Sequence, residues 1–425
     1  MAPWTHTYLS PQTERRMCCT STEPAQNFKQ YIDADDGKNR YEPLTLDEHW
    51  NSEHMKSVRR RMMAGEELPE CKVCNNQLLN ADVYRNWFNS MYKRYESDIW
   101  LHTDPDGTTS MKPISFDYRF SNLCNFKCRM CGPMLSSSAE AEARRMKSWS
   151  IPGDPWMMPP VRDMISEFQD TQIEKEFSDA IEEKRIEEIY WVGGEPLMYA
   201  QHWKYLQRIV DLGYPEQVML RYNTNLSRVN YKKQNLWELL SHFPRWNMLA
   251  SLDATGQIGE YIRTGLKYNK FIENLEQGIE TATGREQRID LDLTITTPGL
   301  LDLKNMFDLS IKYRLILYTK VVFTFSNDLI LSPISVPKKI LHNIIDDVLE
   351  YAKPRATWRQ QNFINTLEAM KTRPTTQEEY HNSFHSGWEE GKKRIKKLEN
   401  FRKDSYTLDN ILEQNKDLLA WYQSI

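Results

Sequence analysis

Three cysteines, Cys124, Cys128 and Cys131, lie within eight residues at the spacing C-x3-C-x2-C. They directly follow residues 114–120, whose alternating apolar positions are typical of a β-strand. Three thiolates on one tight loop can hold three irons of a four-iron cluster. The fourth iron then has no protein ligand and is open to a small molecule. We therefore predict a [4Fe–4S] cluster here, with these cysteines as its metal ligands and as the catalytic centre.

A zinc site, a disulfide and a chance grouping are the alternatives for this loop. Zinc sites favour paired C-x2-C elements or histidines, and no histidine lies near the loop. A disulfide needs an oxidising compartment, which nothing else in the sequence indicates. The spacing resembles the signature of the radical S-adenosylmethionine (SAM) superfamily, in which the amino acid end of SAM chelates the open iron. Met130 departs from the family, which usually has an aromatic residue before the third cysteine.

A second motif, Gly193-Gly194-Glu195-Pro196, ends the next predicted strand. By itself, a Gly-Gly turn after a strand usually only relieves the backbone. The motif resembles the element of radical SAM proteins that holds the SAM amino group. Glycines let backbone carbonyls approach an ammonium closely, and a glutamate adds countercharge. Two such motifs after two consecutive predicted strands are stronger evidence than either alone.

Further polar residues follow the third and fourth predicted strands: Asn223, Asn225, Ser251, Asp253 and Arg263. The same resemblance implies that these residues contact SAM. It assigns the serine and the aspartate to the ribose hydroxyls and the arginine to the SAM carboxylate. The structural alternatives are helix capping for Ser251 and Asp253 and a surface ion pair for Arg263.

The other four cysteines, Cys18, Cys19, Cys71 and Cys74, precede this region, and none lies beyond residue 131. With their surroundings they resemble a twitch domain, the shortened form of the SPASM auxiliary-cluster domain, which implies a second, auxiliary [4Fe–4S] cluster. A structural zinc site with these four sulfurs is the alternative. Neighbouring residues of a strand point to opposite faces, so Cys18 and Cys19 would face one cluster together only after the strand has turned.

The elements that position these residues alternate along the chain. We predict strands at 115–121, 187–192, 217–223, 247–252, 289–296 and 318–325, with helices such as 200–212, 257–280 and 302–313 between them. This predicts an α/β protein with a partial (β/α)6 TIM-like barrel, whose catalytic loops follow the strands. Residues 135–172 are predicted to be an irregular insertion. The predicted domains are 1–112, a twitch-like α+β domain rich in cysteine; 113–326, the radical SAM core; and 327–425, a helical segment.

Local signals place helices outside this core. Thr45 and Glu48 form a capping box for a helix to Ala64, and helices are predicted at 336–352, 357–372, 376–403 and 407–423. The basic run 392–397 lies on the third of these, and its acidic neighbours favour an ordinary solvated helix face.

Composition excludes several classes of function. The 425 residues carry a net charge of −4, so no nucleic acid or membrane partner is expected. No apolar run approaches the length of a membrane span, and the start lacks the pattern of a signal peptide. The expected location is the cytoplasm.

The resemblance implies an enzyme that cleaves SAM reductively to a 5′-deoxyadenosyl radical and abstracts hydrogen from a peptide or small-molecule substrate. It also implies a one-electron reductant such as flavodoxin or ferredoxin. A zinc-stabilised binding module and an iron–sulfur electron-transfer protein are the alternatives. The motif at 193–196 argues against both, because neither needs it.

Overall fold

The computed structural model describes residues 1–21, 41–77, 84–149, 155–322, 329–372 and 384–425, but not the side chains of residues 76, 77, 84, 329 and 384–386. Within these ranges the chain is an α/β protein with a helical C-terminal segment, which confirms the predicted fold class. The strands are β1 His6–Leu9, β2 Arg15–Arg16, β3 Ser115–Tyr118, β4 Glu188–Trp191, β5 Met219–Thr224, β6 Asn230–Tyr231, β7 Gln234–Asn235, β8 Arg245–Ser251, β9 Glu286–Ile295 and β10 Leu317–Val321.

The main sheet has eight strands in the order β10-β9-β8-β5-β4-β3-β1-β2. Pairing is parallel for β1–β3, β3–β4, β4–β5 and β9–β10, and antiparallel for β1–β2. β6 and β7 form a separate antiparallel hairpin. All six strands predicted for the core are present, although the last ends at Val321, and residues 323–325 of its predicted range lie outside the described residues. Every residue of β3 and β4 is buried, as expected for a parallel sheet covered on both faces.

Helices lie between and after these strands along the chain. No described helix is long and apolar enough to cross a membrane. Their bounds are α1 Ala2–Thr5, α2 Leu46–Trp50, α3 Glu53–Met63, α4 Lys72–Gln77, α5 Tyr84–Met91, α6 Glu96–Leu101, α7 Ser137–Met146, α8 Pro159–Phe168, α9 Glu174–Glu182, α10 Ala200–Asp211, α11 Leu236–Leu240, α12 Gly256–Ile262, α13 Tyr268–Thr281, α14 Leu303–Tyr313, α15 Lys338–Ala352, α16 Gln361–Thr372, α17 Phe384–Arg402, α18 Leu408–Leu412 and α19 Lys416–Ser424.

Three predicted helices are interrupted. The predicted helix 257–280 is two helices, α12 and α13, because Gly265 between them has φ +114° and lies against Phe126. The helix after Thr45 begins with the predicted capping box but stops at Trp50, and Ser52 caps α3 as a new N-terminus. The predicted helix 407–423 is α18 and α19, and residues 376–383 of the predicted helix 376–403 lie outside the described residues.

The prediction of an irregular insertion at 135–172 is wrong for the described part of that range, and residues 150–154 lie outside it. Residues 137–146 form α7, capped by Ser136, and residues 159–168 form α8. A π-helical turn, Gln169–Ile173, joins α8 to α9. Pro159 occupies the first turn of α8, where its missing N–H costs no hydrogen bond.

The described chain folds into two compact units. The first comprises Met1–Cys124, Pro133–Tyr222 and Asn230–Trp246, and the second comprises Asn125–Gly132, Asn223–Val229 and Asn247–Ile425. Within the first unit, β1 pairs in parallel with β3, so the N-terminal hairpin extends the same sheet as the strand before the cysteine loop. The division into domains 1–112, 113–326 and 327–425 stays a prediction.

The two faces of the sheet in the first unit differ in chemistry. Phe116 and Tyr118 of β3 pack on Phe177 of α9, with ring centroids 5.6 and 5.9 Å apart. The alternate residue Ser115 donates a hydrogen bond of 2.5 Å to Glu188 of β4. Glu188 is buried and also accepts from Arg221 at 2.9 Å. One face is therefore an aromatic core and the other a network of buried charges.

A buried ion pair fastens the N-terminal hairpin to this core. Arg15 of β2 lies 2.5 Å from a carboxylate oxygen of Glu176 on α9, and both side chains are buried. Arg15 also donates to the Leu44 carbonyl at 2.6 Å and to the Tyr118 hydroxyl at 3.0 Å. The second oxygen of Glu176 accepts from the backbone N–H of Leu46 at 2.7 Å. The pair thus connects β2, β3, α9 and the start of α2.

We predict that Glu176→Gln lowers the free energy of unfolding by about 3–5 kcal/mol, because it leaves the Arg15 charge buried without a countercharge. The double variant Arg15→Met/Glu176→Leu removes both charges and keeps the volume, and should cost much less. Urea unfolding of the three proteins at pH 7 measures this. A double variant as unstable as the single one would show that the hydrogen bonds, rather than charge balance, matter here.

Candidate active site

The cysteine loop and the Gly193-Gly194-Glu195-Pro196 motif are in contact within the first unit. The backbone N–H of Glu195 donates to the Leu123 carbonyl, next to Cys124, at 2.7 Å. A Cβ at Gly194 would lie only 2.4 Å from that same carbonyl oxygen. Gly193 has φ +121°, a conformation that other residues rarely adopt. Gly194 is therefore required by the close approach of two backbones, and Gly193 by its backbone conformation.

Tyr199 joins the same two segments, and the sequence analysis did not find it. Its hydroxyl donates to the Ser121 carbonyl at 2.6 Å and accepts from the N–H of Gly194 at 2.8 Å. The ring is buried. Glu195 is buried too, and its carboxylate caps the short turn at Pro196–Met198 by accepting from the N–H of Leu197 at 3.1 Å.

The start of α7 holds the backbone of Cys124. The N–H of Cys124 donates to the Ser137 hydroxyl at 3.1 Å, and the Ser138 hydroxyl donates to the Cys124 carbonyl at 2.8 Å. The Cys124 side chain is buried. Both polar groups of its backbone are thus bound, which fixes the direction of the side chain.

Cys128 and Cys131 are neighbours in the second unit. The N–H of Cys131 donates to the Cys128 carbonyl at 3.1 Å, which closes a turn between them. A hydrogen bond with Cys131 and burial together raise the pKa of the Cys128 thiol well above its usual range, and Arg263 acts in the opposite direction. Cys131 is half-buried. The two thiols therefore interact with each other, and the charge of Arg263 acts on Cys128.

Asp253 and Arg263, both predicted to contact SAM, form a buried ion pair with each other. The Nε atom of Arg263 lies 2.6 Å from Oδ2 of Asp253, and an Nη atom donates to Oδ1 at 3.0 Å. The N–H of Thr294 also donates to Oδ1, at 2.9 Å. Burial opposes ionisation of Arg263, but the carboxylate of Asp253 and the sulfur of Cys128 raise its pKa on balance. The alternative of a surface ion pair does not describe this arginine, because its side chain is only 12% exposed.

Asp292 of β9 connects two further predicted site residues, and the sequence analysis missed it. Its carboxylate accepts from Asn223 at 2.9 Å and from the Ser251 hydroxyl at 3.5 Å. Lys320 of β10 donates to both of its oxygens, at 2.7 and 3.0 Å. A charged residue in the middle of an apolar strand was the available signal, because such a residue is rarely buried without a specific partner.

Asn225 contacts the cysteine loop in the second unit. Its amide donates to the side-chain oxygen of Asn125 at 3.0 Å, and Asn125 in turn donates to the Ser227 hydroxyl at 3.0 Å. Asn225 also accepts from the N–H of Ser227 at 3.0 Å. Asn225 therefore binds the cysteine loop at Asn125, the residue that follows Cys124.

The N-terminal cysteines separate into two environments. Cys18, Cys71 and Cys74 line one cavity of about 650 Å³ in the first unit. The Thr20 hydroxyl lies 3.4 Å from the sulfur of Cys18 and 3.7 Å from that of Cys74. Burial raises the pKa of the Cys18 thiol, and both Cys74 and Cys71 add to the effect.

Cys19 does not line this cavity. Burial is the main cause of the raised pKa of Tyr8, and Cys19 makes a small contribution to it. The guanidinium of Arg119 sits 4.9 Å from the centre of the Tyr8 ring and pairs with Asp117 at 3.1 Å. β2 ends at Arg16, so a turn rather than a strand carries both cysteines.

Among the described residues, no three Cys, His, Asp or Glu side chains converge on a single metal ion. A four-iron cluster does not require such convergence, because each cysteine binds a different iron.

Residues 118–282 match the model of the Radical SAM superfamily. Among solved structures, the chain is similar to anSMEcpe with bound AdoMet, at 14% identity and TM-score 0.37, over 55% of this chain and 58% of that one. It is also similar to SuiB of Streptococcus suis, at 11% identity and TM-score 0.37, over 79% of this chain and 71% of SuiB. The matched part spans less than two thirds of anSMEcpe. No curated protein matches the chain.

These TM-scores lie below 0.5, so the functional inference rests on the family model and on the residues described above. Residues 118–282 therefore resemble the radical SAM domain, and this match supports an enzyme of SAM-dependent radical chemistry.

We predict that Gly194→Ala lowers the free energy of unfolding by about 1–3 kcal/mol, because the added methyl group overlaps the Leu123 carbonyl oxygen. Gly132→Ala is the matched control, since a Cβ there meets nothing within 4 Å and the backbone needs no positive φ. The control should be neutral or slightly stabilising. Urea unfolding of both variants without cofactor measures the difference, and equal stabilities would contradict the close contact.

Proposed function

We propose that this enzyme binds a [4Fe–4S] cluster through Cys124, Cys128 and Cys131 and SAM at the open iron. When bound, the cluster supplies one electron that cleaves SAM, and the resulting 5′-deoxyadenosyl radical takes a hydrogen atom from a peptide or small-molecule substrate. The observation that carries the proposal is the backbone contact between Leu123, beside Cys124, and Gly194–Glu195. A cysteine loop that only bound zinc would have no need of a glycine turn held against it.

The donor set fits the cluster. Three cysteines in eight residues supply soft thiolate ligands, the type that iron–sulfur clusters take. Cys124 and Cys128 are buried and Cys131 is half-buried, so the ligands lie largely out of water. Water exclusion protects reactive intermediates, and it strengthens the electrostatic interactions of the site.

Arg263 can hold the SAM carboxylate without giving up Asp253. A guanidinium has five N–H donors, and the contacts with Asp253 use two of them. The remaining donors can pair with a carboxylate in the planar geometry that arginine favours. Asp253 keeps Arg263 charged and in one orientation, so little conformational entropy is lost when SAM binds.

In the same proposal, the ribose of SAM is bound by Ser251, Asp253 and Asn223. Asp292 holds the side chains of Ser251 and Asn223. In this proposal Asp292 and Asp253 position hydrogen-bonding groups for the ribose hydroxyls, and Gly193 and Gly194 present backbone carbonyls to the SAM ammonium. Flavodoxin or ferredoxin is the proposed class of electron donor.

The test is SAM cleavage by anaerobically reconstituted protein with dithionite. The wild type should release 5′-deoxyadenosine, and the Cys124/Cys128/Cys131→Ala variant should release none and lose about four irons per chain. Cys19→Ala, which leaves this loop intact, is the control. Production of 5′-deoxyadenosine by the triple variant would refute the assignment. A wild type that carries the irons but cleaves no SAM would favour an electron-transfer protein.

We propose a second four-iron cluster at Cys18, Cys71 and Cys74, with a fourth iron that has no cysteine ligand. The shared cavity of these three residues supports it. Cys71 and Cys74 are three positions apart at the start of a helix, which puts them on one face. Metal binding would also stabilise this short segment, because it adds to the free energy of folding.

Iron counting on single variants tests this cluster. Cys18→Ala should lower the iron content by about four per chain, whereas Cys19→Ala should leave it unchanged, because Cys19 does not line the cavity that the other three cysteines share. Equal losses would indicate a closed site with four cysteines. One tightly bound zinc per wild-type chain, with about four irons, would replace the auxiliary cluster by a structural zinc site.

A further inference from the structure

We propose that the lysine-rich face of α17 is the docking surface for the electron donor, a small acidic protein with a one-electron redox centre. We name this surface the basic face and define it as Lys392, Lys393, Lys396 and Lys397. The inference rests on the function proposed above, because only a reductively started reaction needs such a partner. It gives the C-terminal helices a role that the sequence alone does not indicate.

One side of α17 is buried and the other carries the lysines. Trp388, Ile395 and Glu399 are each at most 5% exposed and form the inward stripe. The side chain of Lys393, which lies on the outward side, is 77% exposed. The four lysines, with Glu389, Asn400 and Ile425, line an open groove of about 600 Å³. Helical spacing therefore concentrates the positive charge on one accessible surface.

The charge of this surface is only partly balanced. Lys396 pairs with Asp409, and Lys393 lies 3.8 Å from the exposed carboxylate of Glu389. Lys392 donates to the Tyr422 carbonyl at 2.7 Å. This acceptor is neutral, so the bond does not cancel the charge of the lysine. Four lysines against three carboxylates, those of Glu389, Asp409 and the last residue Ile425, still give a local excess of positive charge on a chain whose net charge is −4. Such a patch attracts an acidic partner and repels a basic one.

The end of the same helix contacts the backbone that supports Cys128. Glu399 accepts from the Tyr261 hydroxyl at 2.8 Å, and Arg402 donates to the Thr264 hydroxyl at 3.0 Å. The backbone carbonyls of Tyr261 and Thr264 in turn accept from the Arg129 Nε at 2.9 Å and from the Lys127 N–H at 2.8 Å. These two donors flank Cys128 in sequence.

Arg129 strengthens this connection. Its guanidinium stacks on the Tyr261 ring at 3.6 Å and forms an ion pair with Asp404, two residues beyond the end of α17. Arg129 itself is buried. Lys397 and Arg402 are about 8 Å apart along the axis of α17, because a helix rises 1.5 Å per residue. A protein docked on the basic face would therefore sit close to the loop that the function assigns to the cluster.

The test compares Lys393→Glu/Lys397→Glu with the wild type, using flavodoxin as the probe. Calorimetry should show binding that weakens as ionic strength rises, and the variant should bind at least about tenfold more weakly at low salt. SAM cleavage driven by reduced flavodoxin should slow by a similar factor. Cleavage driven by dithionite, which needs no docking protein, should not change.

Lys270→Glu/Lys339→Glu is the matched control, because both lysines are exposed on helices of the same unit. It should behave as the wild type. The proposal is overturned if the two double variants bind flavodoxin equally, if an acidic protein without a redox centre binds as well as flavodoxin, or if the α17 variant also slows the dithionite reaction. A wild type that cleaves no SAM with dithionite, yet binds flavodoxin through the basic face, would refute the proposed function and not the docking surface.

Discussion

The close approach of Gly194 to the carbonyl of Leu123 is the constraint on which the site in the first unit depends. A side chain at position 194 would overlap that oxygen, so the cysteine loop and the glycine turn can meet only through bare backbone. β3 and β4 make this contact possible, because they pair in parallel with Ser115 opposite Glu188 and their ends are neighbours. Tyr199 then closes the arrangement by bonding both segments. The chemistry assigned to Cys124 and Gly194 thus follows from the pairing of two strands.

Two buried arginines are each paired with a buried carboxylate. Arg15 with Glu176 and Arg263 with Asp253 are paired at distances of 2.5 and 2.6 Å, as the cost of burying a lone charge requires. The first pair holds structural elements together and touches no proposed ligand. The second leaves donors of Arg263 available, and Asp292 similarly holds Ser251 and Asn223. Groups held in advance lose little freedom on binding, which is how a rigid interior becomes a binding site.

Sequence patterns predict the structural features that depend on interactions within a few residues. The six core strands and the capping box at Thr45 are present, because alternation and capping act within a few residues. Tertiary contacts decide the rest. Gly265 interrupts a helix because Phe126 packs against it, and Pro159 begins a helix inside a stretch whose prolines suggested irregular chain. Tyr199 carries no sequence signature of its own, and the position of Asp292 in an apolar strand does not identify its partners, because both residues act through groups that are distant in sequence.

The two groups of cysteines show the same division between local and long-range causes. Cys71 and Cys74 are three residues apart at a helix start, and Cys128 and Cys131 are three apart in a turn closed by one backbone hydrogen bond. In both cases the spacing alone brings two thiols to one side. The remaining cysteine of each group is set by the fold. Cys124 is held by α7, whereas Cys18 lies in the turn after β2 and lines a cavity that Cys19 does not line. Two cysteines that are adjacent in sequence therefore need not belong to the same site. A turn can direct their side chains to different surroundings, as a strand directs neighbouring side chains to opposite faces.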